Sequence, residues 1–214
     1  MTAQTLLHKG NDHTEPFSST DLTGKITKRV GPAMFSVSVA TGVSGANGNA
    51  LFIDHIGSGG GSPAASSWDP PRSIGASFNW LLRLRRNATQ SGDFYRIMWF
   101  SDPAYATAYG FRFGGTPALV RINPSGGTLA TLATQSTGLV TQTSWFWLRV
   151  SHIGASINCR VWQDGAAEPA TWQLSATDSS YASGSFLLGS SGDNADYHVD
   201  YMALTFAGDA AYHE

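Results

Sequence analysis

The stretch that decides the fold is residues 145–172, WFWLRVSHIGASINCRVWQDGAAEPATW. Read with a period of two, Trp145, Trp147, Arg149 and Ser151 point one way, and Phe146, Leu148, Val150 and His152 point the other. After Ile153-Gly154-Ala155 the alternation resumes, with Ile157, Cys159 and Val161 on one face and Asn158, Arg160 and Trp162 on the opposite one. Gly154 stands where a tight turn needs positive φ, and Asp164-Gly165 marks the next reversal. The spacing therefore predicts a β-hairpin. Two strands this rich in aromatics need a partner layer, because burying each large side chain is worth roughly 1.5–3 kcal/mol. The chain is expected to be all-β.

Working outward, the clearest single strand is residues 74–85, with Ile74, Ala76, Phe78, Trp80, Leu82 and Leu84 on one side and Ser77, Asn79, Arg83 and Arg85 on the other. Further strands are expected over 35–39, 50–53, 94–100, 109–113, 118–122, 171–174, 184–189 and 198–206, and a weak Thr-rich pair or a loop over 128–140. Turn signals every 8–12 residues suit a two-sheet sandwich. The Gly-Ser run at 57–63 reads as a long loop inside one domain, ended by Trp68-Asp69-Pro70-Pro71. Residues 1–14 are polar and read as an arm, leaving 15–214 as one sandwich domain. The cluster Arg83-Arg85-Arg86 reads as an exposed strand face running into a turn.

Several of these segments resemble a known family. Trp145-x-Trp147-Leu148-Arg149-Val150, Ile157-x-Cys159-Arg160-Val161-Trp162-x-Asp164-Gly165 and Glu168-Pro169-x-x-Trp172 look like the late strands of a concanavalin A-like (laminin-G-like) jelly roll. The segment from Tyr197 through Asp200 to Leu204 resembles that family's closing strand, and Glu15-Pro16-Phe17 and Ala50-Leu51-Phe52-Ile53 sit where its opening strands lie. The resemblance implies an antiparallel jelly-roll sandwich. It does not fix a function, because this sandwich hosts lectins, glycosidases, lyases, adhesion modules and virion proteins alike. It also implies a structural Ca²⁺ held by the carbonyls of Pro16 and Gly48 and the side chain of Asp200, oxygen donors suited to a hard ion. The alternative is that Asp200 only hydrogen-bonds a backbone amide between strands.

Composition narrows the rest. Of 214 residues, 42% are hydrophobic and 13% charged, about half the roughly 25% usual for globular domains. The net charge is −2 with no basic block, so binding to nucleic acid has no electrostatic support. No run of about 18 apolar residues is present to span a membrane as a helix. The lone Cys159 has apolar neighbours and reads as a buried small hydrophobe. The N-terminal MTAQTLLHKGNDHTEPF lacks the pattern of a secretory signal. An extracellular-type sandwich without an export signal fits a virion component; it also fits a piece cut from a longer secreted protein.

Chemistry is sparse. Two-carboxylate glycoside hydrolysis needs facing acids, yet the three glutamates, Glu15, Glu168 and Glu214, lie on no common strand. A lyase-type site would draw on residues such as Tyr95, Arg96 and His152. The histidines show no metal-ligand spacing, and no Gly-x-Ser-x-Gly elbow occurs. Sugar stacking would fall to exposed aromatics in or beside loops, with Trp68, Tyr105 and Tyr109 the candidates. The sequence thus points to a non-enzymatic structural or attachment protein of a phage-type virion, partnered by other virion subunits, by itself, or by a cell-surface glycan. A secreted carbohydrate-binding lectin module is the alternative, and a glycosidase or lyase the third.

Overall fold

The structure, a computed structural model, describes residues 13–15, 26–30, 35–44, 46, 49–55, 63–68, 77–87, 94–101, 106–113, 116–123, 128–135, 143–191 and 196–206. With strands numbered in chain order, one sheet runs β13 (Leu174–Thr177), β12 (Ser156–Gln163), β11 (Phe146–Ile153), β6 (Ser77–Arg86), β15 (Tyr197–Phe206), β4 (Ala50–His55) and β3 (Phe35–Ala40), and β1 (His13–Glu15) also pairs with β15. The other runs β10 (Thr128–Thr134), β9 (Ala118–Ile122), β8 (Ala108–Phe113), β7 (Phe94–Ser101), β14 (Ser185–Ser191), β5 (Pro63–Trp68) and β2 (Ile26–Val30). Every pairing is antiparallel. The result is an all-β jelly-roll sandwich.

Alternation fixes which face is the core. In β11, Phe146, Leu148, Val150 and His152 are buried, and their cross-strand partners Leu84, Leu82, Trp80 and Phe78 in β6 are buried with them. Together with Ile157, Cys159 and Val161 of β12 they pack against Ile97, Trp99, Phe111, Phe113 and Leu188 of the opposite sheet. Full burial pushes the Cys159 thiol far above its ordinary pKa, so it is an inert packing group. Gly154 leads the two-residue β11–β12 loop with φ +61°, the position a type II′ turn reserves for glycine.

A histidine, His152, sits on the core face. The His152 ring lies among Phe78, Phe100 and Tyr109. Its Nδ1 accepts from Trp99 Nε1 at 3.0 Å, so Nε2 carries the proton and donates to the Gly154 carbonyl at 2.9 Å. Burial lowers its pKa, and the neutral imidazole ties the two sheets together.

Some expectations need correction. The stretch taken as the end of a long loop contains β5, a strand paired on both sides, with β14 and β2. Pro63 opens it, where the missing N–H disturbs the ladder least. The strand expected at 171–174 begins only at Leu174, because Gln173 docks on β12 first: its Oε1 accepts from Val161 N at 2.6 Å and its N donates to the Cys159 carbonyl at 3.0 Å. Within 128–140, Thr128–Thr134 is a strand. Across the boundary drawn between residues 14 and 15, His13, Thr14 and Glu15 all pair with β15.

The β7–β14 ladder carries a bulge. Ser185 faces Ser101 and Leu187 faces Met98, so Trp99 and Phe100 oppose Phe186 alone. Phe100 takes φ +55°, and Gly184 beside it takes φ +148°. A Cβ on Gly184 would stand 2.3 Å from the Ser101 carbonyl oxygen and 2.6 Å from the Phe100 carbonyl carbon. Gly184→Ala is therefore expected to destabilise the fold by about 2 kcal/mol or more, read as a drop in the urea midpoint.

Candidate functional site

The outer face of the eight-stranded sheet is where the sequence placed polar side chains, and there the structure departs most from a simple solvated surface. Cross-strand register aligns Trp162, Trp147, Arg83 and Tyr201 in one row over β12, β11, β6 and β15. The next row holds Arg160, Arg149, Leu81 and Ala203. The indoles of Trp147 and Trp162 stack at 6.2 Å, 15° from parallel, and Trp162, Tyr201, Leu81 and Ala203 form a buried cluster on this face with Trp147 packed against it.

That loop, residues 164–173, is held down by its acids. Gly165 at φ +85° and the bond from Ala166 N to the Gln163 carbonyl turn the chain back at Asp164. Asp164 then accepts from Arg83 Nε at 3.1 Å, from Arg83 Nη2 at 2.6 Å and from Trp147 Nε1 at 2.9 Å. Farther along, Glu168 grips Arg149 through two bonds of 2.7 and 2.8 Å and takes a third from Arg160 at 2.9 Å. It thereby bridges two arginines that face each other across the β11–β12 ladder and offsets part of their mutual repulsion. Arg160 also lies 4.1 Å above the Trp172 ring. Burial alone would raise the pKa of both carboxyls, but the arginine bonds outweigh it and hold each below its usual range.

Arg83 is the hub of this face. Its other arm pairs with Asp200, which sits at a shift of register between Val199 and Tyr201 in the β15–β6 ladder. The guanidinium lies 4.7 Å from the Trp145 ring centre. The side chains of Arg83 and Asp200 are only 5% and 1% exposed.

Beside Trp145 a cleft of about 360 Å³ opens, lined by Ser44, Arg85, Thr143, Ser144, Trp145, Gln163 and Asp164. Small-molecule sites span roughly 300–1,000 Å³. Arg85 is fixed at its rim by bonds to the carbonyls of Thr143, 2.8 Å, and Ser44, 3.0 Å. Trp145 Nε1 donates to the same Ser44 carbonyl at 2.9 Å, and Gln163 Nε2 donates to the Trp145 carbonyl at 3.0 Å. Among the described residues no carboxylate pairs with Arg85, and none bonds to the exposed hydroxyls of Ser44, Thr143 and Ser144. The cleft thus joins the exposed edge of a largely buried indole, Trp145, to a small set of donors and acceptors that are already positioned.

No family model matches the sequence, and no curated protein does. Solved structures do match. The chain is similar to the carbohydrate-binding module CBM66 from Bacillus subtilis, at 12% identity and TM-score 0.54 over 78% of this chain and 91% of that one. It is similar to the VIP36 exoplasmic/lumenal domain in its Ca²⁺/Man-bound form, at 8% identity and TM-score 0.53 over 89% and 93%. A glycosyl hydrolase family protein from Mycobacterium fortuitum matches at 14% identity and TM-score 0.50 over 90% and 98%. The fold is concanavalin A-like. At these identities the likeness is one of fold.

Within this concanavalin A-like sandwich the residues singled out from sequence are scattered. Trp68 lies in β5, opposite Phe186 and Ile26. Tyr105, Pro16 and Gly48 lie outside the described residues. Tyr109 is no stacking platform: it is fully buried against Trp99, Phe100, His152 and Tyr181. Its hydroxyl donates to Asp178 at 2.6 Å, and burial with that bond pushes its pKa up to about 12. The arginine run is also not an exposed face, since Arg83 and Arg86 are buried and only Arg85 reaches the cleft. For calcium, Asp200 is committed to the Arg83 guanidinium, whose charge repels a divalent ion, and the other two expected donors, the carbonyls of Pro16 and Gly48, belong to residues outside those described.

Proposed function

We propose that this chain is a non-enzymatic carbohydrate-binding sandwich whose saccharide site is the cleft beside Trp145. The observation that carries this reading is the cleft's lining: a tryptophan edge, three exposed hydroxyls, an amide, a guanidinium edge and a carboxylate that is 34% exposed, within one small volume. Polyhydroxylated ligands need such a mixture, because each hydroxyl both donates and accepts. The known folds it resembles include a carbohydrate-binding module and a Man-bound domain, which favours the same reading. Hydrolysis is disfavoured by the site's acids. A general acid needs a raised pKa, and Asp164, which lines the cleft, is held low by Arg83, as Glu168 farther along the same loop is by Arg149 and Arg160. The attachment role expected of a virion protein is proposed here only in this form, as recognition of a cell-surface glycan by the sandwich.

The experiment is a polysaccharide array probed with the intact protein and with Ser144→Trp, which fills the cleft from an exposed position. Wild type is expected to bind at least one glycan, and the variant to lose that binding at an unchanged melting temperature. Equal binding by both proteins would remove the cleft from the account.

A further inference from the structure

The cleft has a chemistry more specific than "carbohydrate". Asp164 offers two oxygens, with about four lone-pair directions between them. Its Oδ1 takes Arg83 Nε and Trp147 Nε1, while Oδ2 takes Arg83 Nη2 alone. One acceptor direction on Oδ2 therefore remains, on a side chain that is 34% exposed. Arg85 uses Nε and Nη1 on two carbonyls, which leaves Nη2 and the second Nη1 hydrogen as donors. Both residues line the same small volume.

Among the described residues on and behind the wall, Arg83 and Arg85 stand against Asp164 and Asp200, and Arg83 is shared by both aspartates. The exposed acceptor of the cleft is itself an anion. A ligand carboxylate placed there would meet Asp164, which stays ionised because Arg83 and Trp147 hold its pKa below the usual range.

We propose that the cleft selects a neutral sugar by two neighbouring hydroxyls, one receiving a hydrogen bond from Arg85 and the other donating to Asp164, and that it excludes uronic and other acidic sugars. This rests on the carbohydrate reading above. Selectivity comes from the repulsive element as much as from the attractive pair. Arg85 supplies orientation, held rigid by two backbone carbonyls so that little freedom is lost on binding.

The test is titration calorimetry of the full chain against matched polymers: mannan with polymannuronate, galactan with polygalacturonate, and glucan with polyglucuronate. Wild type is expected to bind a neutral member and to bind its uronate counterpart at least tenfold more weakly. Asp164→Asn keeps an acceptor and removes the charge, so the neutral-to-uronate ratio should fall towards one. Arg85→Gln should weaken the neutral polymer at least tenfold at an unchanged melting temperature, since only two surface carbonyl bonds are lost. A uronate bound as tightly as its neutral partner overturns the proposal, and so does a ratio that Asp164→Asn leaves unmoved, which would mean a merely structural role. Binding of none of the six, together with a blank array, overturns the carbohydrate reading and this one with it.

Discussion

Arg83→Leu is expected to cost about 3–5 kcal/mol, the largest effect of any substitution on the outer face, because it strips a buried carboxylate of the guanidinium that balances it. Asp200 keeps only 1% of its side chain exposed, and Asp164 loses two of its three bonds at the same stroke. Loss of the packing over Trp145 adds to this. The measurement is urea unfolding of Arg83→Leu, Asp200→Leu and the double variant. Two apolar groups of similar volume can replace a buried pair at little cost, so the double variant should recover much of the loss. Additive losses would mean that Arg83 and Asp200 act separately.

Acid is expected to weaken the fold well before its carboxylates titrate. Burial, with the Arg85 charge beside it, lowers the His198 pKa to about 4, and burial lowers that of His152. Both imidazoles are neutral in the folded chain, whereas in the unfolded chain they take protons near the ordinary value of about 6.5. Between those values the unfolded state binds more protons, so stability rises with pH there and is lost as pH falls. His198 alone should account for about 3 kcal/mol between pH 7 and pH 4. The groups around it leave little relief: Phe52 is stacked on the ring at 4.8 Å, Trp145 lies 6.5 Å away, and the cross-strand neighbour is the cationic Arg85. The carboxyls of Asp164, Glu168 and Asp178 act in the same direction, but in a lower pH range. Their lowered values contribute stability above their unfolded pKa, lost only as pH falls through the folded values below about 4. Urea midpoints at pH 7, 6, 5 and 4.5 should therefore decline steadily, and His198→Phe should flatten the decline. A flat profile down to pH 5 in wild type would show that the histidines protonate freely in the fold.

The hairpin of residues 145–172 was legible because alternation, a single turn glycine and an aromatic core face all agreed. Register, core face and the burial of Cys159 followed from that agreement. The outer face was not legible. Alternation turned Arg83 outward correctly, yet outward did not mean exposed, because the loop after β12 folds back and covers it. That return depends on Asp164 and Glu168 meeting arginines from three strands, a relation between elements that no local pattern expresses. Tyr109 failed for a related reason: β8 is buried on both faces, so its position beside a loop gave no clue to its side. Asp200, the side chain expected to hold a structural Ca²⁺, stands at an irregular place in the ladder, and the partner it meets is a guanidinium. The cleft residues Ser44, Thr143 and Ser144 are ordinary polar residues outside the strands and Gln163 ends β12, so they are gathered only by the fold.

The most direct test of the account is a crystal structure of the protein soaked with the tightest saccharide from the array. The account expects a sugar ring in the cleft, against Trp145 and within hydrogen-bond distance of Arg85 and Asp164. A sugar bound on the other sheet, with this cleft holding only solvent, would contradict it.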